Sequence, residues 1–161
     1  MSSNRREISP FDYQKLFGRH TGLLVSMDKH GKANVMALDW KRLFEYEGNP
    51  VIRVQVAYSR YTYKCLTEGV NEFTINIPSE NIYDAVNIAG SYSGKNSDKI
   101  EIAGFEIIPG EKTQVPTLKD CLLNYECKII HNEESNMSSH HYFYGKILIA
   151  YASNDLSKKD L

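Results

Sequence analysis

Apolar residues in this chain gather into runs of strand length, closed by glycine, proline or polar clusters, and few of them repeat at helical spacing. Gly22 to Met27 is one such run, and Asn34 to Trp40 resumes it beyond Asp28-Lys-His-Gly31, the pattern of a hairpin. From Pro50 to Ala57 the chain alternates, with Ile52, Val54 and Val56 on one face and Arg53 and Gln55 on the other. Phe73 to Ile77 is stopped by Pro78. Leu122 to Ile130 and Tyr142 to Ala152 follow, separated by a polar stretch from His131 to Ser139. Helical signals are short and sit between the strands. Ser9 to Leu16 has a cap-like serine followed by Pro10, Tyr61 to Glu68 ends at Gly69, and Ser79 to Ala89 ends at Gly90. Helices inserted among strands, rather than alternating with them one for one, predict a mainly β, barrel-like antiparallel sheet over a doubly wound one. Periodicity by itself stops at an α+β or β-barrel domain.

The 161 residues carry no repeat and no long linker, so residues 1–161 read as one domain. A net charge of −1 gives no electrostatic reason to expect nucleic acid or an anionic membrane as partner. No apolar run approaches the roughly 20 residues that span a bilayer. Met1 to Pro10 is polar and includes Arg5, Arg6 and Glu7, unlike a signal peptide, which predicts a cytoplasmic protein. Cys65, Cys121 and Cys127 are odd in number and lack C-x-x-C spacing, so they read as reduced, apolar packers and not as a zinc or redox site.

Familiar catalytic signatures fail. Gly90-Ser-Tyr-Ser-Gly94 has Tyr92 where a nucleophile elbow needs serine, and neither a Walker loop nor G-x-G-x-x-G follows a strand. His140 and His141 are adjacent, whereas metal-binding histidines on one helix face stand three or four residues apart. Nothing in the chain demands an amino-acid nucleophile.

Five segments do form a pattern. They are Ala33-Asn-Val-Met-Ala-Leu-Asp-Trp40, Ser59-Arg-Tyr-Thr-Tyr63, Glu72-Phe-Thr-Ile-Asn-Ile-Pro78, Gly90-Ser-Tyr-Ser-Gly-Lys-Asn-Ser-Asp-Lys99, and Asn124-Tyr-Glu-Cys127 with His140 five residues before Gly145. In order and approximate spacing they resemble the flavin reductase-like, flavoredoxin-type family. That resemblance implies a split β-barrel that binds FMN without a covalent bond, works as a homodimer, and passes electrons from NAD(P)H to a flavin, metal complex or protein acceptor. It implies no catalytic side chain. Family chains commonly continue beyond the last strand to help close the flavin site; this sequence ends at Leu161, which predicts a more open site.

The residues themselves suit such a ligand. A dianionic phosphate wants cations, hydroxyls and free N–H groups at a loop-to-helix start. Ser59, Arg60 and Thr62 stand at one, and Lys99, with Lys95 nearby, offers a second cation. Without the family, Ser59 reads as a helix cap and Arg60 as a solvated charge. Asn34 and Trp40, six residues apart on one candidate strand, share a face; the resemblance assigns Asn34 to polar flavin contacts and Trp40 to the pocket wall, against core packing for the tryptophan and a turn role for the asparagine. His140 matches a flavin-side histidine of the family and reads otherwise as a surface residue. Two further functions stay open: an FMN carrier or redox sensor without nicotinamide chemistry, and a cofactor-free interaction domain.

Overall fold

The computed structural model describes residues 4–93, 95, 98–157 and 159. In chain order its strands and helices are β1 (Arg5–Ile8), α1 (Gln14–Arg19), β2 (Gly22–Met27), β3 (Ala33–Leu38), β4 (Lys41–Tyr46), β5 (Asn49–Ala57), α2 (Tyr61–Glu68) and β6 (Glu72–Pro78). A 3₁₀ turn (Glu80–Ile82) leads to α3 (Tyr83–Gly90), α4 (Lys99–Ala103), β7 (Ile107–Ile108), β8 (Thr117–Leu118), β9 (Cys121–Glu134) and β10 (His140–Ser153).

One antiparallel sheet runs in the order β3-β2-β6-β9-β10-β5-β4, with β1 on the far part of the β10 edge that β5 also uses. Its two end strands are consecutive in sequence. Laid flat, β3 and β4 would stand six intervals of about 4.8 Å apart, roughly 29 Å. Asp39 and Trp40 are the only link between them, and three peptide steps reach about 11 Å at most. The sheet therefore has to roll up. No ladder joins β3 to β4, so the barrel is closed by the chain and split at that seam.

The rolled sheet encloses a core that includes Leu24, Ile52, Val54, Phe73, Ile75, Tyr125 and Phe143, with Leu16 and Phe17 from α1 and Leu66 from α2. A second core lies outside it. Leu23, Val25 and Val35 pack there with Ala89, Phe105, Val115 and Leu118. Burial on both faces explains why β2 reads Leu-Leu-Val without polar alternation. All three cysteines are free and buried.

Several expectations shift. The helix expected at Ser9 starts only at Gln14, because Tyr13 takes a left-handed φ of 60° and Pro10 lies in a turn. The strand expected to reach Trp40 ends at Leu38. The helix expected from Ser79 to Ala89 is broken into the 3₁₀ turn and α3. The expected loop from His131 to Ser139 shrinks, since β9 and β10 remain paired out to His141 and Glu134. Gly69 does end α2, yet at φ −99° and not in the left-handed cap conformation. Its reason is room: a Cβ there would lie 2.2 Å from the Met27 carbonyl oxygen and 2.6 Å from that of Cys65.

Candidate functional site

The seam of the barrel holds a cleft of about 340 Å³. β3 and the link to β4 supply Met36 to Trp40 on one side, and Gln55, Ala57, Arg60 and His140 supply the other. It exists because β5 outruns its neighbour. β4 begins at Lys41, opposite Val54, so Gln55 to Ala57 lack a β4 partner beyond the bond from Gln55 N–H to the Trp40 carbonyl, 3.0 Å. His140 opposes Ala57 across the other edge of β5, and the small alanine leaves the space open.

Trp40 and His140 meet at the cleft, ring centroids 4.8 Å apart and planes tilted by 50°. Trp40 is 48% exposed. The expectation that it shares a strand face with Asn34 is corrected: β3 stops two residues earlier, so period-two reasoning does not reach it. His140 shares a hydrogen of its Nδ1 or of Ser139 Oγ across 2.8 Å. His141 points elsewhere, to Tyr58 Oη at 3.1 Å and Asn132 Oδ1 at 2.8 Å, with burial lowering its pKa.

Arg60 joins this cleft to the start of α2, where it is the capping residue with no side-chain cap bond. Ser59 is exposed in the preceding turn and does not cap the helix. Thr62 is buried in the first turn, and its Oγ1 accepts from Asn34 Nδ2 at 3.3 Å. Asn34 thus touches Thr62 and does not line the cleft. Lys99 opens α4 yet is only 4% exposed. Burial, and then the neighbouring Arg60 charge, depresses its pKa to about 8. Among the described residues no carboxylate forms an ion pair with Lys99 or Arg60. The nearest acid in sequence, Asp98, accepts from Glu101 N–H and faces Lys32 at 3.9 Å. Of the segment from Gly90 to Lys99, Gly94, Asn96 and Ser97 lie outside the described residues. Lys99 is thus a buried cation within electrostatic reach of the exposed Arg60.

Gln55 was invisible as a site residue in sequence. Its Oε1 is buried with no hydrogen-bond partner among the described residues. A polar residue next to Arg53 on the outer face of a strand whose inner face is Ile52, Val54 and Val56 was the available signal, and the same signal fits any half-exposed strand.

An aromatic wall, an unpartnered acceptor and a cation pair suit a flat heterocycle carrying a phosphate. The flavin reductase like domain model matches residues 15–161. The chain belongs to the flavin reductase-like family. An uncharacterized protein of Pyrococcus abyssi is 35% identical over 137 residues, 84% of this chain and 75% of that relative. The flavoredoxin of Methanosarcina acetivorans is 28% identical with a TM-score of 0.75, covering 88% of this chain and 72% of that one. An FMN-binding domain of a flavin reductases-like enzyme from Shewanella baltica, at 19% identity, has the same fold: TM-score 0.81 over 100% of this chain and 83% of that one. Among the described residues of this family member no helix is long and apolar enough to cross a membrane, and no group of three His, Cys, Asp or Glu side chains could hold a metal.

Proposed function

We propose that this protein is an FMN-dependent oxidoreductase that holds FMN in the seam cleft and takes electrons from NAD(P)H. The observation that carries this reading is the cleft walled by Trp40 and His140 and lined by Arg60, with the buried Lys99 near enough to feel the Arg60 charge. FMN, when bound, would supply the redox chemistry, a two-electron transfer from reduced nicotinamide to a flavin, metal complex or protein acceptor.

The chain's own residues bind and orient. Lys99 and Arg60 neutralise the phosphate, with the first N–H groups of α2 and the Ser59 hydroxyl beside them. Thr62 has a hydroxyl with one proton and two acceptor positions. Asn34 donates to that oxygen, which leaves the hydroxyl proton for the phosphate. Asn34 is therefore a positioning residue for Thr62. The rings of Trp40 and His140 flank the heterocycle. A second copy of the chain, in a symmetric homodimer, covers the open side.

Absorbance of the purified protein, with mass identification of whatever heat releases, tests the cofactor. A flavin spectrum and the mass of FMN are expected, or saturable FMN binding if purification strips it. A colourless protein that binds no added FMN overturns the reading. Steady-state oxidation of NADH or NADPH by the FMN-loaded protein separates the enzyme from a passive carrier.

A further inference from the structure

We infer that Gln55 reads the imide edge of the flavin ring, its Oε1 accepting the N3–H hydrogen; this rests on the FMN reading above. Gln55 sits where β5 leaves β4 behind, between Ala57 and Arg53 on the outward face of the strand. Its backbone N–H is taken by the Trp40 carbonyl, which fixes the residue beside the aromatic pair. Arg53, the next side chain on that face, is occupied at 4.2 Å over the Tyr142 ring. The Gln55 side chain lines the cleft, and its Oε1 is buried without a partner among the described residues. Buried acceptors are nearly always paired in native proteins, so an orphan in a cleft marks a place for a donor from a ligand.

The chemistry narrows the donor. Oxidised isoalloxazine carries a single ring N–H, at N3, flanked by two carbonyl oxygens. A primary amide offers the matching pair, an acceptor and a donor, and a half-turn of its terminal torsion exchanges the two ends. Trp40, half-exposed at the cleft, offers an aromatic face beside Gln55 against which a flat ring can lie. Asn34, the asparagine assigned to polar flavin contacts from sequence, is engaged with Thr62, which leaves Gln55 as the amide in the cleft. A carboxamide such as that of a nicotinamide presents the same donor–acceptor pair, so the experiment includes it.

Fluorescence titration compares FMN, riboflavin and N3-methyl FMN on the wild type, Gln55→Leu and Gln55→Glu, with melting curves to check that each variant is folded. Wild type should bind FMN about tenfold or more tightly than N3-methyl FMN. Gln55→Leu should lose that gap while still preferring FMN to riboflavin, which reports an intact phosphate end. Gln55→Glu keeps an acceptor and should keep the gap. Equal wild-type affinity for FMN and its N3-methyl analogue, or a gap that survives in Gln55→Leu, overturns the inference while leaving the FMN reading standing. A wild type that binds neither flavin ends both. In the flavin-free protein, the single tryptophan, Trp40, reports oxidised nicotinamide dinucleotide directly. Saturable quenching that Gln55→Leu abolishes would assign Gln55 to the carboxamide and also overturn the proposal; quenching unchanged by the substitution supports it.

Discussion

Lys99 is a buried cation within reach of the Arg60 charge, an arrangement that costs the fold stability and that the proposed phosphate would offset. Its pKa of about 8 lies below the roughly 10.4 of an unfolded lysine. Between those values the unfolded chain binds more protons, so stability contributed by this group rises with pH there, and its penalty is full below about pH 8. Ligand binding has the opposite sign. A phosphate dianion favours the charged lysine, so FMN affinity should fall as pH climbs through about 8, while riboflavin affinity stays flat. Lys99→Met should remove that slope, weaken FMN by about tenfold or more, and raise the melting temperature of the flavin-free protein at neutral pH. Lys41, also near 8 through burial, donates to the carbonyls of Phe17 and His20 at the end of α1; its titration changes stability for both ligands alike and serves as the control. Thr62 separates in the same way. Thr62→Val keeps the shape but leaves Asn34 Nδ2 without its acceptor, an expected loss of about 1–3 kcal/mol in urea unfolding. Thr62→Ser should recover most of it. If the Thr62 hydroxyl meets the phosphate, Thr62→Val weakens FMN and spares riboflavin.

Elements whose own residues settle their conformation were readable in sequence. α2 spans Tyr61 to Glu68, and β2, β5 and β6 lie within a residue or so of their apolar runs. Elements made by distant partners were not. β1 reads Arg-Arg-Glu-Ile and is a strand because it pairs with Ser153 to Ala150, with the Arg5 guanidinium 3.8 Å over the Tyr151 ring. β4 buries only Leu43 fully, so Lys41, Arg42 and Glu45 make it look like a loop. The polar ends of β9 and β10 persist because a ladder needs backbone, not apolar side chains. Much the same holds for the site: Trp40, Arg60 and His140, each singled out in the sequence, line one cleft, whereas Gln55 is marked only by a missing partner among the described residues. Gly145 shows how tightly β10 is held. A Cβ there would lie 2.4 Å from the Phe73 ring and 2.8 Å from Cys127 Cβ, both in the core. Gly145→Ala should therefore destabilise by about 1–3 kcal/mol, read from the denaturant midpoint, and disturb His140 at the start of the same strand.

At the scale of the whole molecule, the split that makes the cleft also leaves it open. The ladder is absent between β3 and β4, and Trp40 stands 48% exposed at that seam. A flat ligand seated against Trp40 and His140 has one covered face, and in the proposed homodimer a second chain related by a two-fold axis would cover the other with the same surface. Binding is then linked to association. FMN at a hundred times its dissociation constant should add about 2.7 kcal/mol to stability. For a domain of this size that corresponds to roughly 5–11 °C in melting temperature. Riboflavin at the same concentration should add less, because the Lys99–Arg60 end is left without its anion. If the partner chain completes the site, the FMN-induced increment should also grow with protein concentration, since the folded, loaded particle contains two chains. Sedimentation at micromolar protein, with and without FMN, reads this directly: the loaded protein should run as a dimer, and FMN should shift any monomer toward it. A loaded protein of monomeric mass, with an increment independent of protein concentration, would mean that one chain suffices and that the open face of the cleft is left to solvent or to the electron donor.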